Sequence, residues 1–195
     1  MKFFELEKYY MIEDKRKTVA VVPGSFKPPH AGHWDMIKKY SKQADEVFVI
    51  ISAPGKQKRT TKTGNEITPK TAVKIFEIFN KATGLKNVKF IISDSPSPVK
   101  ATYDYVEYEL KDVDVLLGAS DKGGDFKRWM STPKYFAEHN PSVTIIDPKK
   151  AAVKAFKNVS ASTIRDNIDN HELIKELLPT ELSEKDINKI IEILT

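Results

Sequence analysis

Apolar positions along the chain follow two alternating rhythms. Thr18–Val22 is a continuous run rich in β-branched residues, closed by Pro23-Gly24. That is the pattern of a strand buried on both faces. Glu46–Ser52, Val88–Ile92, Val113–Leu117 and Val143–Ile146 repeat it. Between these runs the spacing becomes helical. Trp34, Ile37 and Tyr40 mark a helix over 33–43. Ala72, Ile75, Phe76 and Phe79 fall at i, i+3, i+4 and i+7 in a helix opened by Thr68-Pro69 and stopped by Gly84. Residues 99–110 predict a helix whose Tyr103, Tyr105 and Tyr108 serve packing, and 124–138 predict another. Strand and helix in strict alternation imply an α/β fold, a doubly wound parallel five-stranded sheet with helices on both faces.

The ends of the chain depart from this rhythm. Residues 1–17 predict an appendage, either a short helix packed on the body or a loose arm, with a partner-docking peptide as the alternative. Phe3, Phe4, Leu6, Tyr9, Tyr10 and Met11 give it only weak helical spacing. The last 45 or so residues read as a C-terminal helical extension of the same domain: 160–170, 171–178, and a helix capped by Ser183 with Ile187, Ile190, Ile191 and Leu194 on one face. The expected division is 1–17 appendage, 18–170 sheet domain and 171–195 extension.

Composition narrows the chemistry. The 195 residues are 40% apolar and 30% charged, a normal balance for a globular domain. Lys plus Arg is 32 against 27 Asp plus Glu, giving +5. That mild excess suits anionic small molecules and does not demand nucleic acid, which is not expected as a partner. There is no cysteine, which excludes disulfide scaffolds, thiolate metal sites and thiol nucleophiles. No apolar run approaches the ~18 residues of a membrane span. The N-terminus has scattered charges and no secretory core, so the cytoplasm is the expected location.

The strongest chemical signal follows the first strand: Gly24-Ser25-Phe26-Lys27-Pro28-Pro29-His30-Ala31-Gly32-His33. Gly24 permits a tight turn near a ligand, and Pro28-Pro29 stiffen the loop. His30 and His33, three apart at a helix start, can face one side. Gly32 lets an anion approach backbone N–H groups at a helix terminus that already favours phosphate. This segment resembles the G-x-F-x-P-x-H-x-G-H signature of the nucleotidylyltransferase superfamily. Late in the chain, Val159-Ser160-Ala161-Ser162-Thr163-Ile164-Arg165 is similar to that superfamily's second motif, I-S-x-T-x-[IV]-R. Hydroxyls at a helix start bind phosphate, and Arg165 adds a forked, permanent charge.

The resemblance covers roughly residues 18–170 and implies a Rossmann-like fold. It implies transfer of a nucleotidyl group from ATP or CTP to a phosphorylated small-molecule acceptor, with release of pyrophosphate. His30, His33 and Arg165 would be catalytic. Gly24, Ser25, Phe26, Lys27, Gly32, Ser160, Ser162 and Thr163 would bind the nucleotide. Lys27 stands where relatives vary among Asp, Gln and others. Mg²⁺ would arrive with the triphosphate. Gly118 and Asp121, after the fourth strand, would approach the ribose and base. The basic loop with Lys56, Lys58, Arg59 and Lys62 would grip the acceptor's phosphate, with Lys58 and Arg59 its principal contacts. Trp129 would stack on a pyridine ring. Adenylyl transfer is favoured, with nicotinamide mononucleotide (NMN) the preferred acceptor. Pantetheine-phosphate adenylyl transfer, cytidylyl transfer and a non-catalytic nucleotide sensor are the alternatives. Relatives often form homo-oligomers, which the sequence leaves open. A complete aminoacyl-tRNA synthetase is not expected at this length.

Overall fold

A computed structural model describes residues 16–56, 58–156 and 159–195. Apart from Arg16 and Lys17, the expected N-terminal appendage lies outside the described residues. Five strands form one parallel sheet: β1 Lys17–Gly24, β2 Glu46–Ile51, β3 Val88–Ile92, β4 Val113–Leu117 and β5 Thr144–Ile145. Their order is β3-β2-β1-β4-β5. The chain steps outward from β1 to β3, then returns to the other side of β1. That reversal leaves a crevice above the carboxyl ends of β1 and β4, where sheets of this kind receive ligands.

Alternation along β1 sends its side chains into two separate cores. Ala20 and Val22 join Trp34, Ile37 and Tyr40 of α1 (Ala31–Ser41) and Ile75, Phe76 and Phe79 of α2 (Pro69–Thr83). Val19 and Val21 join Val106 of α3 (Pro98–Tyr108), Trp129, and Phe136 of α4 (Thr132–His139). Local chemistry sets the helix ends. Thr68 and Thr71 form a reciprocal cap at the start of α2, and Gly84, at φ 67°, ends it in the left-handed region that glycine adopts without strain.

After β5 come α5 (Pro148–Ala151), α6 (Ala161–Asp166), α7 (His171–Leu177) and α8 (Glu184–Leu194). Ile164, Ile174, Ile187, Ile190 and Leu194 belong to the same core as α1 and α2. Each such buried side chain stabilises by about 1.5–3 kcal/mol relative to exposure. The C-terminal helices are therefore fused to one face of the sheet. No helix among the described residues is long and apolar enough to cross a membrane.

Three local expectations change. The single helix expected over 124–138 is instead a 3₁₀ segment, Lys122–Trp129, followed by α4, because Gly123 and Gly124 take left-handed φ values of 61° and 72°. The helix expected over 160–170 ends at Asp166, with Asn167 already non-helical. Tyr103 and Tyr105 pack on Phe136 and Phe48, but Tyr108 is 73% exposed and does not serve the core.

Candidate active site

The turn between β1 and α1 is built around Phe26. Its φ of 49° is left-handed, and its ring packs edge-on against His33 at 4.9 Å and Phe76 at 5.0 Å. The ring also covers Gly24, where a Cβ would stand 2.6 Å from it. Gly24 is thus required by this aromatic cover. His30 caps α1, and its Nδ1 accepts the Gly32 N–H at 3.1 Å. The neutral ring therefore carries its proton on Nε2 and can donate there. Its neighbour His33 lies stacked on it, with ring centroids 3.6 Å apart.

Burial lowers the His30 pKa to about 4. Burial, then the nearby His30, holds His33 well below the ordinary range. Both are neutral at pH 7 in the free protein, so they act as directional donors and not as charges. Among the described residues the buried Nδ1 of His33 finds no hydrogen-bond partner.

Two clefts open on either side of the Phe26–His33 pair. The larger, about 780 Å³, lies over the ends of β1, β2 and β3. Ser25, Lys27, Lys56, Arg59, Ser162 and Arg165 contribute to its wall. Four of its lining residues are cationic and none is a carboxylate. The Arg165 guanidinium donates to the Lys27 carbonyl at 2.6 Å, joining the two sequence motifs. The second cleft, about 310 Å³, occupies the crevice between β1 and β4. It is mixed in character: Met36 and Phe156 are apolar, while Asp35, Asp125 and Arg128 are charged. His30, Gly24 and Gly32 face this side.

Several expected residues are placed otherwise than the sequence implies. Trp129 is fully buried among Val21, Leu117 and Phe136, and its Nε1–H donates to the Gly118 carbonyl at 3.2 Å. It presents no face to a ligand, so it does not stack on a pyridine ring. Gly118 is needed for close strand approach, since a Cβ there would meet the Val22 Cα at 2.8 Å. Asp121 borders neither cleft; its carboxylate accepts the Ala155 N–H at 2.8 Å and holds the 153–155 segment. Lys58 is turned outward and paired with Glu66 at 2.8 Å, so Arg59 and Lys56 are the loop's cations in the cleft. The Gly32 N–H is occupied by His30. Ser160 caps α6 by accepting the Thr163 N–H, and its hydroxyl also contacts those of Ser162 and Thr163. Of those three, only Ser162 lines a cleft.

The basic loop is fastened below its tip. The Lys62 N–H donates to the Arg165 carbonyl at 2.9 Å, and Lys62 pairs with Asp169 at 2.8 Å. Asp35, Met36, Asp125 and Phe156 also line the second cleft without belonging to any motif, and Arg128 stands out in the sequence only as the neighbour of Trp129. Asp125 and Arg128 form an i, i+3 ion pair at 3.2 Å, a spacing that a helical turn brings onto one face. Among the described residues no group of three or more His, Asp or Glu is placed to hold a metal ion.

Known proteins agree with this architecture. A family model described as cytidylyltransferase-like matches residues 21–189, most of the chain. The chain belongs to the cytidylyltransferase-like family. This member of the nucleotidylyltransferase superfamily is 27% identical over 153 residues to a phosphopantetheine adenylyltransferase of Vesicomyosocius okutanii, covering 78% of this chain and 85% of the relative. Its fold is shared with a bifunctional NMN adenylyltransferase/ADP-ribose pyrophosphatase of Francisella tularensis. The structure of that enzyme with AMP and a manganese ion superposes with TM-score 0.52 at 13% identity, over 90% of this chain and 48% of that one. A second structure of the enzyme gives 0.54 at 16%, over 91% and 52%. The cytidylyltransferase-like chain thus spans about half the length of these solved structures.

Proposed function

We propose that this protein is an adenylyltransferase that moves AMP from ATP to the phosphate of a small acceptor and releases pyrophosphate. The carrying observation is the four-cation cleft, free of carboxylates, that meets a pair of neutral buried histidines. Such a wall suits reacting anions and offers little to a reaction that needs a strong base. A phosphomonoester dianion is already deprotonated and needs none. The protein's work is then positioning and charge stabilisation.

In this reading the crevice between β1 and β4 takes the nucleoside, with Met36 and Phe156 as apolar contacts and Asp35 and Asp125 as acceptors for its hydroxyl or amino groups. His30 and His33 donate to phosphoryl oxygens, Ser162 and Arg165 hold the departing pyrophosphate, and Ser25 and Phe26 shape the turn beneath. Lys56 and Arg59 hold the acceptor's phosphate. Among the described residues no carboxylate set is placed to hold a cation, so Mg²⁺ carried by the triphosphate would supply the charge that offsets the phosphates. Adenylyl transfer is supported by the phosphopantetheine adenylyltransferase likeness. Burial of Trp129 removes the particular argument for NMN, which leaves NMN and phosphopantetheine as the two acceptors to try first. The same reading puts the enzyme in the cytoplasm, where its nucleotide substrate is made and used.

Pyrophosphate release tests it directly, with ATP or CTP and Mg²⁺ against NMN, phosphopantetheine, glycerol phosphate and choline phosphate. Turnover with ATP and one of the first two is the expected result. Turnover only with CTP overturns the adenylyl assignment and keeps the class. Tight ATP binding with no turnover on any acceptor favours a nucleotide sensor.

A further inference from the structure

Lys27 is an unusual lysine. It is only 8% exposed, yet it lines the larger cleft together with His33 and Arg59. Among the described residues its ammonium makes no hydrogen bond and no ion pair within 4.0 Å. Glu66, the carboxylate that acts on it from a distance, is already paired with Lys58. Arg59 faces it with like charge, and burial lowers its pKa below the ordinary 10.5. Its backbone is fixed on both sides, by the left-handed Phe26 before it and by the Arg165 guanidinium on its own carbonyl. A lysine that is partly desolvated with no counter-ion beside it carries its charge at a cost in the free protein. An anion entering the cleft removes that cost.

We propose that Lys27 selects the nucleophile: its ammonium binds the acceptor's phosphate and admits a phosphomonoester in preference to an uncharged alcohol. The proposal rests on the adenylyl-transfer reading above. An oxygen of the acceptor phosphate forms the new bond to the α-phosphorus of ATP. The bond from that phosphorus to the oxygen bridging the β-phosphate breaks, and pyrophosphate leaves with the electron pair. No proton has to be removed from the dianion. An alcohol would have to lose one, and no Asp or Glu lines this cleft. Lys27 lowers the repulsion between the two phosphates at the moment they meet, a task for which a fixed, partnerless cation is suited.

The test compares wild type with Lys27→Met and Lys27→Arg. Calorimetry follows α,β-methylene-ATP with Mg²⁺, then inorganic phosphate titrated onto that complex. Steady-state rates are taken with ATP and either NMN or phosphopantetheine. Lys27→Met is expected to bind the ATP analogue within about threefold of wild type while losing phosphate affinity by about 10- to 100-fold, the scale of one charge-assisted hydrogen bond. The acceptor KM rises by a similar factor and kcat changes less. Lys27→Arg recovers most of the phosphate affinity, and the ligand-free melting temperature of Lys27→Met is no lower than wild type. Equal loss of analogue and phosphate assigns Lys27 to the triphosphate and overturns the proposal, as does no loss of either. If wild type turns over neither acceptor but binds phosphate through Lys27, the acceptor reading fails and Lys27 stands. If wild type neither binds phosphate nor turns over, both fail.

Discussion

The two clefts share a wall, yet they are chemically unlike. The one over β1, β2 and β3 presents Lys27, Lys56, Arg59 and Arg165 with no opposing carboxylate. The one between β1 and β4 mixes Asp35, Asp125 and Arg128 with Met36 and Phe156. In the second, both carboxylates are already paired, Asp125 with Arg128 and Asp35 with Lys39, and Lys122 and Lys154 also line the wall. In the first, Lys27 has no ion-pair partner among the described residues. Self-neutralised groups give shape and hydrogen-bonding pattern, which suits a nucleoside. Unneutralised cations give affinity for anions, which suits phosphates. The shared wall, Phe26 and His33, is where a nucleotide lying in one cleft would present its α-phosphate to a nucleophile in the other.

The largest expected effect comes from breaking that wall. Substituting both histidines, His30→Asn and His33→Asn, should lower the rate of pyrophosphate release by about a thousandfold, the scale of removing oriented donors at a developing charge. ATP affinity should change far less, because apolar contacts in the mixed cleft remain. If affinity and rate fall together, the histidines hold ground-state nucleotide and the catalytic assignment is wrong. Arg165→Ala comes next. It removes one guanidinium from the cationic cleft and releases the Lys27 carbonyl. The expected cost is about 10- to 100-fold in kcat/KM, and Arg165→Lys should recover only part of it.

A cross-over pair sharpens the contrast between the clefts. Arg59→Ala should raise the acceptor KM by about tenfold and leave the ATP KM nearly unchanged. Met36→Trp should do the reverse, filling the mixed cleft and raising the ATP KM by about tenfold. Parallel changes in both constants for either variant would show that the two clefts are one site.

The histidine pair also makes a pH prediction with a definite sign. The folded His30 pKa, about 4, lies below the unfolded value of 6.5. Between those values the unfolded chain binds more protons, so stability rises with pH across that window. The contribution is fully present above about 6.5 and lost as pH falls towards 4; for His30 it is on the order of 3 kcal/mol. Melting curves of the ligand-free protein should therefore drop steeply from pH 7 to pH 4. His30→Asn should flatten that slope, and an unchanged slope would mean that other groups carry it.

The parts of this molecule that were legible in the sequence are those governed by local periodicity. The five strands and the helix Pro69–Thr83 follow from apolar spacing and from caps such as Thr68 and Gly84, which act within a few residues. The H-x-G-H segment was legible because its position after a strand is itself a local fact. What stayed hidden depends on distant contacts. Nothing local reveals that Lys58 pairs with Glu66, that Asp121 is used by Ala155, or that Arg165 reaches back to Lys27. The same holds for the mixed cleft, whose Asp35, Asp125 and Phe156 are far apart in sequence and meet only where β1 and β4 lie side by side. The glycine pair at 123–124 was visible, but its effect, splitting one helix into a 3₁₀ turn and α4, requires both residues in the left-handed region.

Trp129 marks the limit of reading chemistry from residue type, and it supports the smallest kinetic prediction. An aromatic ring just past a ligand-side strand invites a stacking role. The structure instead seals it beneath the cleft, with Arg128 stacked on it at 4.8 Å and donating, as Trp129 does, to the Gly118 carbonyl. Its influence on the site is therefore mechanical. Trp129→Phe keeps most of the apolar volume but removes the Nε1 donor, leaving the Gly118 carbonyl with the Arg128 donor while the Gly118 N–H keeps its bond to the Val21 carbonyl. The variant should lose about 1–2 kcal/mol of stability in denaturant titration. Both acceptor and ATP KM should stay within about twofold of wild type, since no ligand touches the ring and the remaining bond keeps the turn in place. A rise in acceptor KM well beyond that, without a matching loss of stability, would return the ring to the binding surface and reopen the case for a pyridine acceptor.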